Sequence, residues 1–526
     1  MKSLPIGIQS FSKLIKENKI YVDKTKYVYE LVKNGNVFFL SRPRRFGKSL
    51  LISTFEELFN GNKNLFEGLY IYDKWNWEEK YPVIRLDFAE LKYSSGQELN
   101  ASIEKFLDTA ANNAGISLER NADGLIPMKF AELIKKLHKA YGSQVVILID
   151  EYDKPVTDNL SNKEVMAANK RILHDFYQVI KATDEHLKFV FLTGVSKFSG
   201  LSVFSALNSI NDITVDERYS TICGYTQEEL EEHFKDYITA LSQKLNLTYK
   251  ESVAAIKDWY NGYSWDGKIS VYNPFSTLML FDKKRFANYW FRTGTPTFLL
   301  DLIRQHNRPQ NFLGELTASD SSFESYNPDN LNEIPLLFQT GYLTVKSIKS
   351  SIEGVEYTLN FPDREVKDSF LQCLLSNYTA YPQESMPELF KELSVKFQNA
   401  DSKGLEDNLT ALLAHIPYQL ITESEKYYHS IFLIWLKTLG FDIQGEISTN
   451  RGRIDAVLKQ NDYAVITEIK YSTEKALEEM LESALKQIDD KKYYEAYLEK
   501  KVILLAIAFN GKDVKCKFKT SDTFFV

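Results

Sequence analysis

The chain has 526 residues, enough for two to four domains that each bury a core. Its 64 Lys and Arg against 71 Asp and Glu give a formal net charge of −7, which excludes a protein coated in positive charge but not a local basic groove. Cys223, Cys373 and Cys516 lie far apart without metal or redox spacing, and neither a signal-peptide core nor a run of the ~18 apolar residues that span a bilayer occurs, so a reduced cytoplasmic setting with no membrane contact is expected.

The first element with chemistry is an apolar strand, Asn36-Val37-Phe38-Phe39-Leu40, which runs into RPRRFGKS (42–49) and then a helix from Leu50 through Leu58. Gly-Lys-Ser between a strand and a helix predicts a phosphate-binding loop. Successive backbone N–H groups from Phe46, Gly47 and Leu50 would face an anion, Lys48 would reach the β/γ-phosphates, and the Ser49 hydroxyl would ligate Mg²⁺. Arg42 holds the place of the usual first glycine, and Arg42, Arg44 and Arg45 are expected to pair with phosphate oxygens. A chance Gly-Lys-Ser in a basic turn is the bland alternative.

The next elements remove most of that alternative. Residues 81–88 (YPVIRLDF) read as a strand, and helical patterns fill 97–114 and 127–141. QVVILIDEYD (144–153) is an apolar strand ending in carboxylates, where open α/β sheets bind ligands. Asp150 would hold Mg²⁺, and Glu151 would orient or deprotonate the attacking water. The strand Lys188–Leu192 exits through Thr193 and Ser196, either of which could sense the γ-phosphate. Residues 1–215 therefore predict a mostly parallel sheet flanked by helices.

From 216 the texture changes. An amphipathic helix at 226–242, turn signals at Asn261-Gly262-Tyr263 and Asp266-Gly267, VYNPFS (271–276) and YWFRTGTPTFLL (289–300) predict a small helical or winged-helix lid over 216–300. Residues 301–420 read as a mostly helical connecting region, with a polar loop from Thr317 to Asn332.

Residues 421–526 resume an α/β pattern: a helix (424–438), strands near 441–447, 453–459 and 463–470, a helix (474–496) and a strand over 502–509. Asn450-Arg451-Gly452 is a tight turn. Asp455 sits on one strand, and Glu468-Ile469-Lys470 follows thirteen residues later. Neighbouring antiparallel strands would bring Asp455 and Glu468 to one metal, and strand alternation puts Glu468 and Lys470 on one face. Two carboxylates suit Mg²⁺ or Mn²⁺, and a lysine beside them suits metal-assisted phosphodiester hydrolysis. Glu446, Glu425, His429 and Gln487 are further candidates for this site. A Glu-x-Lys on a solvated strand is common, so the motif counts only in its order of helix, strand, Asp strand, ExK strand, helix, strand. Tyr427-Tyr428 and Tyr493-Tyr494 read as core and surface aromatics.

IGIQSFSKLIKENKIYVDKT (6–25), RPRRFGKS, LIDEYDKP (148–155), FLTGVSKFS (191–199), CGYTQEEL (223–230), WYNGY (259–263), YWFRTGTP (289–296) and GRIDAVL with ITEIK together resemble a bacterial family of AAA-ATPase-like proteins with a C-terminal PD-(D/E)XK nuclease domain. The resemblance covers nearly the whole chain, and the Arg42 departure matches the family's own loop. It implies an α/β protein with an N-terminal P-loop (ASCE/AAA-like) parallel-sheet ATPase domain and a C-terminal restriction-endonuclease-like domain. It also places Asp455, Glu468 and Lys470 in catalytic positions.

The functional expectation is an ATP-regulated, Mg²⁺- or Mn²⁺-dependent DNA nuclease, in defence against mobile DNA. The rival is a nucleotide-switched scaffold whose C-terminal domain only binds nucleic acid or a protein partner. A remodelling motor is the third reading. It requires a homo-oligomer and an arginine finger, for which Arg171 and Arg218 are candidates. The segment from Tyr21 to Thr25 is the candidate wall of the adenine pocket.

Overall fold

A computed structural model describes residues 2–119, 125–197, 210–293, 315–319, 333–352, 354–378, 386–416, 424–449, 451–511 and 513–520. They fall into two compact units, Met1–Gly294 with Thr317–Val366, and Thr295–Leu316 with Lys367–Val526. This grouping is coarser than the four segments read from the sequence.

In the first unit, β1 (Val37–Ser41), β2 (Val83–Asp87), β3 (Val145–Asp150), β4 (Leu187–Gly194) and β5 (Asn211–Asp212) form one sheet in the order β2-β3-β4-β1-β5. The described pairings are all parallel. β1 and β3 are buried along their whole length, as continuous apolar strands covered on both faces must be. The 83–87 strand precedes the acidic strand in the chain, but in space β4 separates β1 from β3, and β2 is the edge. That order sets the ends of β1, β4 and β3 side by side: Ser41 pairs with Gly194, and Thr193 reaches Asp150. The helix Lys48–Phe59 buries Leu51, Ile52, Phe55, Leu58 and Phe59. Phe55 lies 5.0 Å from Phe189 and 4.8 Å from Phe191 of β4, and each such buried ring stabilises by roughly 1.5–3 kcal/mol. Helices Gly96–Asn113 and Ile126–Tyr141 form where their patterns predict them.

The helix expected at 226–242 is two, Gln227–His233 and Lys235–Leu245. Phe234, fully buried, sits at the break with φ −117°. Core packing of that ring overrides the continuous helical pattern. Capping boxes at Thr226/Glu229 and Thr248/Glu251 start Gln227–His233 and Tyr249–Tyr260. Asn261-Gly262-Tyr263, expected as a turn, is the short strand β6 (Asn261–Tyr263), antiparallel to β7 (Val271–Tyr272).

Among its described residues the 301–420 region is mostly helical, as expected, and it also holds a small sheet that the sequence reading did not contain. Helices Glu333–Thr340, Arg364–Tyr378, Met386–Gln398 and Ser402–Ala414 are present. β8 (Leu316–Ser319), β9 (Thr344–Ser351) and β10 (Gly354–Asn360) nevertheless form a sheet in the order β8-β10-β9. Val355, Tyr357 and Leu359 alternate with Glu356, Thr358 and Asn360, a period-two signal that outweighs the surrounding helical texture. Thr317–Ser319 belong to β8 rather than to a loop, and the remainder of that expected loop, 320–332, lies outside the described residues. So do Phe198, Ser199, residues 294–300 and Asn450 of the quoted motifs.

In the second unit, β11 (Asp442–Thr449), β12 (Gly452–Lys459), β13 (Tyr463–Tyr471), β14 (Lys501–Phe509) and β15 (Val514–Thr520) form a sheet in chain order, antiparallel except for the parallel β13–β14 pair. Helix Glu425–Leu439 precedes the sheet and helix Leu477–Lys491 makes the β13–β14 crossover. Ile454, Val457, Ile466, Leu485 and Ile488 share one core cluster. Among the described residues no helix is long and apolar enough to cross a membrane.

Two candidate active sites

The loop after β1 closes on the helix Lys48–Phe59. Gly47 is the N-cap at φ 92°, and Arg45 adopts φ 67°, a left-handed conformation that L-residues other than glycine rarely take. Lys48 Nζ donates to the carbonyls of Arg42 (3.0 Å) and Pro43 (3.2 Å), so the ammonium lies inside the curve of the loop. Ser49 stands in the helix's first turn. A cavity of about 370 Å³ adjoins the loop, within the range of small-molecule sites. Ile8, Tyr21, Val22, Leu51, Cys223 and Phe275 supply apolar wall, and Lys24, Ser49, Leu50 and Glu151 also line it. Tyr21, Val22 and Lys24 come from the segment singled out for an adenine pocket.

Asp150 is fully buried at the end of β3. Its Oδ1 accepts from Thr193 Oγ1 (2.5 Å) and from the Glu151 N–H (3.1 Å). Its Oδ2 is buried with no hydrogen-bond partner. An orphaned buried carboxylate oxygen fits a hard cation. Glu151 has φ 53° and faces the cavity. Ser196, the alternative to Thr193, gives its N–H to Asp153 Oδ2 at 2.7 Å.

Two acids went unnoticed in the sequence. Asp87 pairs in register with Asp150, and burial, then the charges of Asp150 and Glu151, pushes its carboxyl up to about 6. Asp153 is buried and accepts from the N–H groups of Val195 and Ser196. Burial, then Glu151, pushes it up to about 7. The DEYD string carried the Asp153 signal; Asp87 needed the strand order.

The loop arginines divide differently from expectation. Arg42 does not face the anion position: its side chain is fully buried and donates to the carbonyls of Ser41, Thr214 and Tyr219. Phe46 is also buried, packed edge-on against Tyr263 at 4.7 Å, which leaves only its backbone for an anion. Arg44 reaches the Tyr342 hydroxyl at 3.3 Å. Arg45 is exposed beside the cavity, 5.2 Å from the Phe275 ring. Arg218 pairs with Asp216 of its own chain at 2.6 Å, and Arg171 is exposed on helix Lys163–Ala182.

In the second unit Ala456 pairs with Thr467, so Asp455 and Glu468 stand one rung further along the same strand pair. The Ile469 N–H donates to Asp455 Oδ2 at 2.8 Å. Lys470 Nζ donates to Glu468 Oε1 at 2.9 Å, and Gln487 Nε2 donates to the same oxygen. Glu468 Oε2 is buried with no hydrogen-bond partner. Burial, then the Asp455 charge, pushes the Glu468 carboxyl up to about 7. Burial lowers Lys470, but the Glu468 hydrogen bond and charge more than offset that and hold it above the usual lysine value.

His429 is buried and its Nε2 donates to the Asp455 carbonyl at 2.7 Å. Glu446, expected as a third acid, pairs with Arg453 at 3.5 Å. The further carboxylate whose charge reaches both Glu468 and Lys470 is Glu425. Among the described residues no three His, Cys, Asp or Glu side chains gather as a metal cage. Asp455 and the orphaned Glu468 oxygen therefore fit a cation that takes the rest of its ligands from substrate or water. Tyr428 is core, stacked on Tyr471 at 5.2 Å and Phe509 at 4.7 Å.

A family profile described as predicted AAA-ATPase matches residues 5–204, and one described as PD-(D/E)XK nuclease superfamily matches residues 423–519. The chain is 38% identical over 504 residues to an uncharacterized protein in the vnfD 5′ region of Azotobacter chroococcum mcd 1, with 94% of each chain covered. No solved structure matches.

Proposed function

Because the chain belongs to a family that joins a predicted AAA-ATPase domain to a PD-(D/E)XK nuclease-superfamily domain, we propose that its first unit hydrolyses ATP and its second cleaves DNA under nucleotide control. One observation carries this reading. Each unit sets a buried carboxylate oxygen without a protein partner beside a group able to act on the reaction: Asp150 beside Glu151, and Glu468 beside Lys470.

In the first unit Ser49 and Asp150 would hold Mg²⁺. Lys48 and the backbone N–H groups at the head of helix Lys48–Phe59 would bind the β/γ-phosphates. Thr193 fixes the Asp150 rotamer, and Glu151 takes the proton of the attacking water.

In the second unit Asp455 and Glu468 would hold Mg²⁺ or Mn²⁺. Such an ion supplies Lewis-acid polarisation of a phosphoryl oxygen and acidifies water. Lys470 stabilises negative charge developing on the phosphate. Gln487 orients Glu468, and His429 fixes the Asp455 backbone. Defence against mobile DNA is the biological setting of this reading.

The test is incubation of the full chain with linear, circular and single-stranded DNA in Mg²⁺ or Mn²⁺, with and without ATP. Cleavage that disappears in Lys470→Ala supports the nuclease. Lys48→Ala then reports whether nucleotide controls it. No cleavage of any nucleic acid in any lane sinks the proposal.

The second reading is a nucleotide-switched scaffold. It is favoured by the pairing of the cations at the β11–β12 tip, where Arg451 meets Glu495 (3.3 Å) and Arg453 meets Glu446 (3.5 Å). Intact ATP hydrolysis without cleavage would select it.

A further inference from the structure

The phosphate loop departs from the usual pattern at Arg42, and that side chain does not serve the anion directly. Nη1 donates to the carbonyls of Ser41 (2.8 Å) and Thr214 (2.8 Å), and Nη2 to that of Tyr219 (3.1 Å). The guanidinium carbon lies 3.8 Å from the centroid of the Trp265 ring. Among the described residues no carboxylate forms an ion pair with it, and Nε is buried without a hydrogen-bond partner. Burying a guanidinium without a direct ion pair is unfavourable, and the charges of Asp212 and Asp266 reach it only through space. Three carbonyls and a desolvated cation–π stack, worth roughly 2 kcal/mol, offset part of that.

The neighbouring loop residues are held from the same quarter. Pro43 sits directly over Gly341, where a Cβ would lie 2.6 Å from the proline ring. The Arg44 carbonyl accepts from Trp290 Nε1 at 2.9 Å. Phe46 packs on Tyr263 at 4.7 Å and on Trp265 at 5.7 Å. Arg45 alone points out, at the left-handed φ of 67°. Such a backbone costs a non-glycine residue about 1–2 kcal/mol, and the anchored neighbours on both sides hold it there.

We propose that the phosphate loop is held in its anion-binding shape by an aromatic anchor of Tyr263, Trp265 and Trp290, with Arg42 as the strut and Trp265 and Trp290 as positioning residues for the nucleotide. The inference rests on the reading that this loop binds ATP. In the usual loop, glycines supply the conformation through backbone freedom. Here side-chain anchors impose it from outside. The direction of the loop N–H groups then depends on the rings, and by linkage nucleotide binding and the position of those rings influence each other equally. A cluster that served only as core would lower stability when truncated and leave the affinity of the folded protein unchanged.

The test measures the Kd of the full chain for Mg·ATP by calorimetry, alongside the thermal midpoint, for wild type, Lys48→Ala, Arg42→Gly, Trp265→Leu, Trp265→Phe, Trp290→Phe and the double variant Arg42→Gly/Trp265→Leu. Arg42→Gly restores the usual glycine, yet it is expected to weaken binding about tenfold. Trp265→Leu is expected to do the same, and the double variant to add little, because both remove one stack. Trp265→Phe keeps a ring face and recovers most of the affinity. Trp290→Phe removes the indole N–H to Arg44 together with part of a buried ring, a smaller truncation that serves if the others do not fold; a Kd raised severalfold in folded protein supports the anchor whatever the shift in thermal midpoint. Wild-type affinity in folded Arg42→Gly or Trp265→Leu, or in Trp290→Phe where those do not fold, overturns it. Wild-type protein that is folded but binds no ATP overturns the ATP reading and this inference together, and is distinguishable from that outcome.

Discussion

Thr193 donates its hydroxyl to Asp150 Oδ1 at 2.5 Å, and this contact exists because β4 lies between β1 and β3. The bond orients a fully buried carboxylate so that its other oxygen is left without a hydrogen-bond partner. Thr193→Val keeps the shape and removes the donor. We expect ATP turnover to fall at least about tenfold, with a smaller change in Kd, and stability to drop by about 1–3 kcal/mol. Steady-state kinetics beside urea unfolding would check this. An unchanged kcat removes Thr193 from the reaction.

Gly194 follows it and admits no side chain. A Cβ there would lie 2.5 Å from Asp153 Oδ1 and from Tyr152 Cδ1. Gly194→Ala is expected to destabilise by about 1–3 kcal/mol through overpacking and to weaken turnover with it. A thermal midpoint equal to wild type would contradict the packing described.

Lys470→Ala removes the cation beside Glu468, the group expected to stabilise charge on the phosphate. Nuclease rate should fall roughly 10²–10³-fold at saturating metal, the scale of losing one electrostatic stabiliser. ATP hydrolysis by the same sample serves as the control for folding. Cleavage at the wild-type rate would show that Lys470 is a surface lysine and no more.

Glu365 gives a pH signature. It is buried, with Oε1 accepting from the N–H of Trp290 (2.6 Å) and Oε2 from the Ser276 hydroxyl (2.6 Å). Burial pushes its carboxyl from the ordinary 4.5 up to about 7. The folded state therefore binds more protons than the unfolded state between those values. The stability this contributes is complete below about 4.5 and is lost as pH rises through about 7. In urea unfolding, wild type should lose stability relative to Glu365→Gln between these pH values and run parallel to it above them. Curves that run parallel throughout would refute the assignment.

Much of the architecture was legible because its signals are local. The apolar runs of β1, β3 and β4 announce buried parallel strands in a few residues each. Gly47-Lys48-Ser49 and the Glu468-x-Lys470 pair are likewise short-range patterns. The sheet β8-β10-β9 was missed although β10 alternates cleanly, because the texture around it is helical. Gln487 was legible only as a candidate, and the crossover from β13 to β14 is what brings it to Glu468.

The sequence by itself determined which residue types the two sites contain and that each follows an apolar strand or lies on one. Only the tertiary structure decided where those side chains point. Arg42 reads as a phosphate ligand by its place in the loop, yet it turns inward, because Thr214, Tyr219 and Trp265, more than 170 residues away in the chain, offer carbonyls and a ring face. Glu446 reads as a metal ligand by its place on a strand, yet it pairs with Arg453, while Glu425 on the preceding helix adds a smaller charge to that of Asp455 at Glu468. Strand and helix periodicity is a property of neighbouring residues. The direction of a long charged side chain is set by whichever distant partners best replace its lost water.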